Sequence, residues 1–259
     1  MPFTPTHLLA VLPLWPFRSG LPFAGLAIGS MVPDVAVFFP VVDYAQTHSP
    51  IGALVTCLPI GVAIYFLFDL VMRRPMVALL PVWFQKRIDS GSRLPTSQKG
   101  IPHLFFYAGL AAAVLIGAYS HQVWDAFTHK GRWGTRVVPA LNETVVMAGQ
   151  EIPRYKLFQH GSSIIGLPLL GCIALIGLCR TSPVHSVTVV STRLRVLVLI
   201  LLCLIPMVVA VIALSQQPNI FQSFGVFIKR SGAILLLLTV GYCFVAEALI
   251  AKPKRDQSV

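Results

Sequence analysis

The stretch LFFYAGLAAAVLIGAYSHQVWDAFTH, residues 104–129, begins as an apolar run and ends with three ionisable groups spaced four residues apart. Leu104–Ala118 carries no charge, and the weakly polar Tyr119-Ser120 lengthens it towards the 17–25 residues a helix needs to cross a bilayer. Side chains at i and i+4 stack on one helix face. A helix over this stretch therefore crosses a membrane and presents His121, Asp125 and, if it runs far enough, His129 together near one membrane edge.

Four further runs are nearly free of charge: Ile51–Met72, Ile164–Leu178, Leu194–Leu214 and Ala233–Ile250. Only helices or closed barrels satisfy their backbone inside a bilayer, and period-two alternation is absent, so five transmembrane helices are expected. Composition agrees. Of 259 residues, 56% are hydrophobic and 11% charged, with a mean hydropathy of +0.77. Soluble domains carry about 25% charged residues. The fold class expected is an all-α polytopic transmembrane bundle, entered by a short interfacial or re-entrant helical hairpin. That hairpin falls in residues 1–50, which Pro2, Pro5, Pro13, Pro16, Pro22, Pro33 and Pro40 break into short pieces. Residues 1–180 form one membrane-embedded domain with the candidate site; residues 181–259 add two spans and a short basic tail.

The net charge of +11 sits in loops rather than on one polar face, so topogenic charge and anionic lipid explain it better than nucleic acid. If the loop after the first span is cytoplasmic, that side holds twelve lysines and arginines against eight. This bias favours an outside N-terminus, although the cations of residues 130–156 oppose it. The five cysteines (Cys57, Cys172, Cys179, Cys203 and Cys243) form no C-x-x-C pair and are read as small buried residues. The N-terminus lacks the basic start of a cleavable signal peptide.

With five spans, two of them between residues 50 and 119, residues 1–50 and 119–162 fall on the same side. Those segments hold His7, Asp34, His48, His121, Asp125, His129 and His160, five of the seven histidines. His103 and His185 lie elsewhere and are given no role. Imidazole and carboxylate are ligands that zinc and similar divalent ions take, and ionisable groups at a membrane edge are costly and usually functional. Each motif has a plainer account. H-x-x-x-D is a common spacing that can satisfy itself at a helix end. Asp34, after Pro33, is a turn aspartate; His48 precedes a span; Ser162 or Ser163 after His160 caps a helix. Several such residues brought to one edge by separate segments favour a metal site.

In order, Thr6-His7, Gly29-Ser30-x-x-Pro33-Asp34, Thr47-His48-Ser49, His121-x-x-x-Asp125 and His160-Gly161-Ser162-Ser163 resemble a bacterial membrane family of unknown function (domain of unknown function 4184). Trp124–His129 and Trp133-Gly134 add to the likeness, which covers most of residues 1–180. More distantly, the order is similar to membrane-bound predicted metal-dependent hydrolases and to zinc-dependent phospholipase C. That resemblance implies one metal site from Asp34, His48, His121 and Asp125, with His129 and His160 for a second and His7 as an additional ligand. It also departs from the phospholipase: Ile164 stands where the last ligand motif would place a glutamate, and the ligating N-terminal tryptophan is absent. One metal, or two incompletely ligated, is implied, with zinc the expected ion.

The function expected is a membrane-bound metal-dependent hydrolase of a phosphodiester in a lipid headgroup. His129 or His160 would move protons, and Lys130, Arg132 and Arg136 would clamp phosphate oxygens. The expected partners are membrane lipids, and the expected location is a bacterial cytoplasmic membrane with the site on its extracytoplasmic face. The alternatives are a non-enzymatic membrane protein whose metal or His/Asp cluster staples helices, and a transporter using His121 and Asp125 as a relay. The transporter reading expects ionisable residues deep in several spans. Only Asp69 and Glu247 lie there, and Asp69 stands one turn from Arg73.

Overall fold

Apolar length decides the architecture. In a computed structural model, which describes residues 3–88, 103–147, 149–183, 190–215 and 220–250, the described chain is helical apart from one small hairpin. His185 and the basic residues after 250 lie outside the described residues. Among the described residues, five helices are long and apolar enough to cross a membrane: Pro50–Leu79, His103–Thr128, Arg154–Arg180, Thr192–Ile212 and Val226–Leu249. We label these α1 to α5 in that order. No more than 28% of the most apolar stretch of any span is buried inside the protein, so lipid must cover the rest. The protein is a multi-pass membrane protein with an all-α fold.

Two compact units share the chain. The first holds residues 1–36, 40–65 and 95–179. Its centre is α2, against which the N-terminal residues pack as a string of short helices. Prolines break the string, because each removes a backbone donor and crowds the preceding turn. The helix Phe23–Gly29 crosses α2 at very close range. Gly25, Gly29 and, on α2, Gly117 lie where the backbones meet: a Cβ on Gly117 would stand 2.5–2.7 Å from backbone atoms of Leu26, Gly29 and Ser30, and one on Gly29 would strike the Val114 backbone. Small residues four apart permit this approach between membrane helices. Leu26, Ala113 and Val114 are fully buried beside the crossing.

α1 contains two π-helical turns, Ala53–Cys57 and Phe68–Met72. Its start is tied to the end of α2, because Tyr119 donates to the Pro50 carbonyl and Gln122 to those of Thr47 and Ser49. After α2 come a short helix, Trp133–Val137, and an antiparallel hairpin of Thr144–Met147 with Gln150–Pro153. The sequence reading has no strand here. α3 then begins at Arg154, ten residues before the apolar run. Ser162 and Ser163 are therefore interior helical residues rather than caps, and Ser163 Oγ instead accepts the Phe3 amide at 2.8 Å.

The second unit holds residues 37–39, 66–94 and 180–259. α4 and α5 pack together in it, and α5 also meets the C-terminal half of α1. The in-span acids are paired. Asp69 accepts from Arg73, both buried, as the i,i+4 spacing anticipates, and Glu247 lies 3.4 Å from Arg74. The cysteines are free. Cys57 and Cys243 are buried, but Cys172, Cys179 and Cys203 are exposed on span surfaces, against the expectation that all five are interior. On a span surface the solvent is lipid, so a small weakly polar side chain has no need of the core.

Candidate metal centre

The site grows from the end of α2. His121 and Asp125 lie one turn apart on its buried face, and the crossing at Gly117 brings the Ser30 carbonyl within 2.9 Å of His121 Nδ1. The bend after Gly29 leads into the 3-10 turn Val32–Asp34, where Pro33 fixes the exit and turns Asp34 inward. The short helix Tyr44–Thr47, capped by Asp43 accepting from the Gln46 amide, ends at His48. The turn Thr4–His7 delivers His7. Asp34, His121, Asp125, His7 and His48 are 1%, 0%, 2%, 2% and 6% exposed.

Four atoms form a closed quadrilateral. His121 Nε2 lies 3.6 Å from Asp34 Oδ1 and 3.5 Å from Asp125 Oδ2; His48 Nε2 lies 3.6 Å from each of the same oxygens. These distances exceed the ~2.7–3.2 Å of an N–H···O hydrogen bond. They are close to the spacing of adjacent ligands around a divalent ion, since tetrahedral ligands at about 2.0–2.2 Å stand about 3.3–3.6 Å apart. The tautomers point the same way. His121 Nδ1 faces the Ser30 carbonyl, and His48 Nδ1 faces the Tyr44 carbonyl at 3.1 Å and the Thr47 hydroxyl at 3.1 Å. A ring that donates its Nδ1 proton to a carbonyl keeps a lone pair on Nε2, as histidine ligands do. Here two lone pairs face two carboxylates.

Buried polar atoms normally find hydrogen bonds. His7 Nδ1 and Nε2, Asp34 Oδ1, His48 Nε2, His121 Nε2 and both Asp125 oxygens have none. The cluster could hold a metal ion, and the groups His48–His121–Asp125 and His7–Asp34–His121 each bring one donor atom within 4.8 Å of the others.

The surroundings hold the donors in place. Thr4 donates to Asp34 Oδ2 at 2.7 Å, His7 stacks on His121 with centroids 3.8 Å apart, and Tyr44 stacks on His48 at the same distance. Burial pushes His7 down to about 3, leaving a neutral ring. Burial and the nearby Asp125 raise the Tyr44 phenol, which stays protonated. Outer partners of ligands are typically worth 10–100-fold in metal affinity. Thr4→Val is therefore expected to weaken metal binding about tenfold, read by competition with a chromophoric chelator.

The expected residues divide in three. Asp34, His48, His121 and Asp125 converge, with His7 3.7 Å from Asp125 Oδ1. His129 is adjacent but engaged: Nδ1 lies 3.2 Å from the Asp125 carbonyl and 3.1 Å from the Thr128 hydroxyl, while Nε2 meets the Gln159 amide at 3.2 Å. Its pKa is lowered, burial being the main cause. His160 is not brought in. One residue along a helix is a turn of about 100°, so the buried Gln159 faces His129 and His160 is exposed. Of the three following cations, only Arg132 reaches the rim, with Nη1 3.4 Å from the His48 carbonyl and its guanidinium 5.8 Å from the Tyr44 ring centroid. Lys130 is exposed, and Arg136 folds onto the Gly131 carbonyl. Thr4, Tyr44 and Gln159 were not among the expected residues; only Gln159 adjoins one, His160.

These features define a polytopic helical membrane protein with a buried histidine–aspartate cluster able to hold a metal. The chain belongs to the family described as Domain of unknown function (DUF4184), whose sequence pattern matches residues 1–252. No curated protein and no solved structure matches the chain.

Proposed function

We propose that the protein is a membrane-embedded metal-dependent hydrolase acting on phosphodiesters, with lipid headgroups as its substrates. The observation that carries this reading is the pair of fixed Nε2 lone pairs facing two buried carboxylates at 3.5–3.6 Å. Asp34, His48, His121 and Asp125 would hold the ion, and zinc suits this nitrogen and oxygen donor set. A bound divalent ion supplies a water of pKa near about 7 and polarises the phosphoryl group. Arg132 stands at the rim to receive phosphate oxygens. His129, held neutral and hydrogen-bonded to Gln159, is the proton-handling group nearest the cluster, within reach of general acid–base work. The distant likeness to metal-dependent hydrolases supports the reaction class by analogy.

A structural metal is the second reading, and near-complete burial of the donors favours it, because closed sites are generally structural and catalytic ones keep an open position. Turnover separates the two. Detergent-purified protein is expected to carry stoichiometric divalent metal by mass spectrometry and to hydrolyse bis(p-nitrophenyl) phosphate. Chelation should abolish the activity and zinc should restore it. Metal without hydrolysis of any soluble or lipid phosphodiester would leave the structural role; no metal would remove both.

A further inference from the structure

A cavity of about 750 Å³ adjoins the cluster in the first unit, reached at His7. One wall is a single face of α3. Leu157, Phe158, Gly161, Ile165 and Leu169 recur at the three- and four-residue spacing that keeps side chains on one face. Leu9, Ala10 and Trp124 line the other side. From Leu157 to Leu169 the helix rises about 18 Å, comparable to the ~15 Å hydrocarbon depth of one leaflet. The wall lies in a span, and Phe158, Ile165 and Leu169 are also exposed at its surface, so the cavity is open to lipid.

Arg154 marks one end of the wall at the start of α3, its Nη1 2.9 Å from Glu143 Oε2, and His7 borders the cavity where it adjoins the cluster, next to Thr6, which packs against Gly166. The rest of the lining is almost wholly apolar. An amphiphile with an anionic head at the interface and a single chain directed inward matches this distribution, whereas a water-soluble ester would leave the apolar length unused.

We infer that this cavity is a lateral groove that takes one acyl chain of a membrane phospholipid and so holds that lipid alongside the cluster. The inference rests on the proposed hydrolysis only in calling that lipid a substrate; occupancy by the chain stands without it. Gly161 supplies the width, since a Cβ there would meet nothing within 4 Å. A larger side chain at this position therefore occupies space inside the groove.

The test uses the full chain in vesicles of phosphatidylglycerol and phosphatidylethanolamine doped with a phosphatidylglycerol carrying a diazirine at an acyl-chain end. After irradiation, peptide mass spectrometry should find adducts concentrated on the 157–169 face of α3 and at residues 9–10. Gly161→Phe should reduce these about tenfold relative to adducts on α4, with thermal unfolding and metal content confirming that the variant is folded. Ile165→Trp serves if Gly161→Phe fails to fold. Labelling spread evenly over all lipid-facing helices, or unchanged in the filled variant, overturns the inference. Hydrolysis of bis(p-nitrophenyl) phosphate by the wild type is measured in parallel. Labelling with no hydrolysis leaves a lipid-binding groove and removes the enzyme; hydrolysis without localised labelling does the reverse.

Discussion

Asp125→Asn protein should purify with less than about one-tenth of the wild-type metal, corresponding to an affinity loss of at least about 100-fold. Asp125 stands between the histidines. Its Oδ2 faces His121 and His48 at 3.5 and 3.6 Å, and its Oδ1 faces His129 and His7 at 3.5 and 3.7 Å. The amide keeps the shape, so packing survives, but it removes the negative charge and turns one acceptor into a donor. That donor can meet a histidine lone pair, which relieves the repulsion an empty cluster would suffer. The variant should therefore be metal-poor yet folded, with a thermal unfolding midpoint indifferent to chelators. Wild-type protein should lose stability on chelation, by about 2.7 kcal/mol if the metal was present at 100 times its Kd. Asp69→Asn is the control, since that acid is buried but paired with Arg73, and its metal content should be unchanged. Wild-type metal levels in Asp125→Asn would place the ion elsewhere.

Gly117→Leu should be the most damaging change away from the cluster. Even a methyl there would press on backbone of Leu26, Gly29 and Ser30 at 2.5–2.7 Å, and backbone has no rotamer into which to retreat. Overpacking usually costs about 1–3 kcal/mol, and a whole isobutyl group at a backbone crossing should reach or exceed the top of that range. The effect should extend to the metal. Forcing the helices apart withdraws the Ser30 carbonyl from His121, freeing the ring that must present Nε2. Thermal unfolding in detergent and metal content should fall together. Gly171→Ala and Gly241→Ala, also within spans but with nothing near the added atom, should leave both unchanged or raise stability slightly. A Gly117→Leu protein as stable as wild type would mean that the crossing contributes little.

The spans were legible because the bilayer imposes a length that composition alone reveals. The core of the cluster was legible for two reasons: His121 and Asp125 share a face whatever surrounds them, and two successive spans, α1 and α2, return the chain to the side it left. Phase was harder to read. Without knowing that α3 starts at Arg154, nothing distinguishes Gln159 from His160 as the inward residue, and the exposed one had the more ligand-like side chain. The helix carrying His121 stops at Thr128, so His129 closes back on its own turn and bonds to the Asp125 carbonyl. Gly25-x-x-x-Gly29 stands in the sequence between Pro22 and Pro33, and prolines signal breaks, not the close packing that the glycines permit. The hairpin at residues 144–153 has strands of four residues, too short for alternation to declare itself.

The donors are far apart along the chain: residues 7, 34 and 48 precede α1, and 121 and 125 follow it. During synthesis the early donors must wait, incomplete, while α1 and most of α2 are made and inserted. No cation can be enclosed before α2 is in place. Loading is then a late step of biogenesis that closes the first unit around its ion, drawing on the ion supply of whichever compartment faces the end of α2. A chain truncated before residue 121 would carry its aspartate and two early histidines with nothing to gather them, a defect that membrane quality control could recognise.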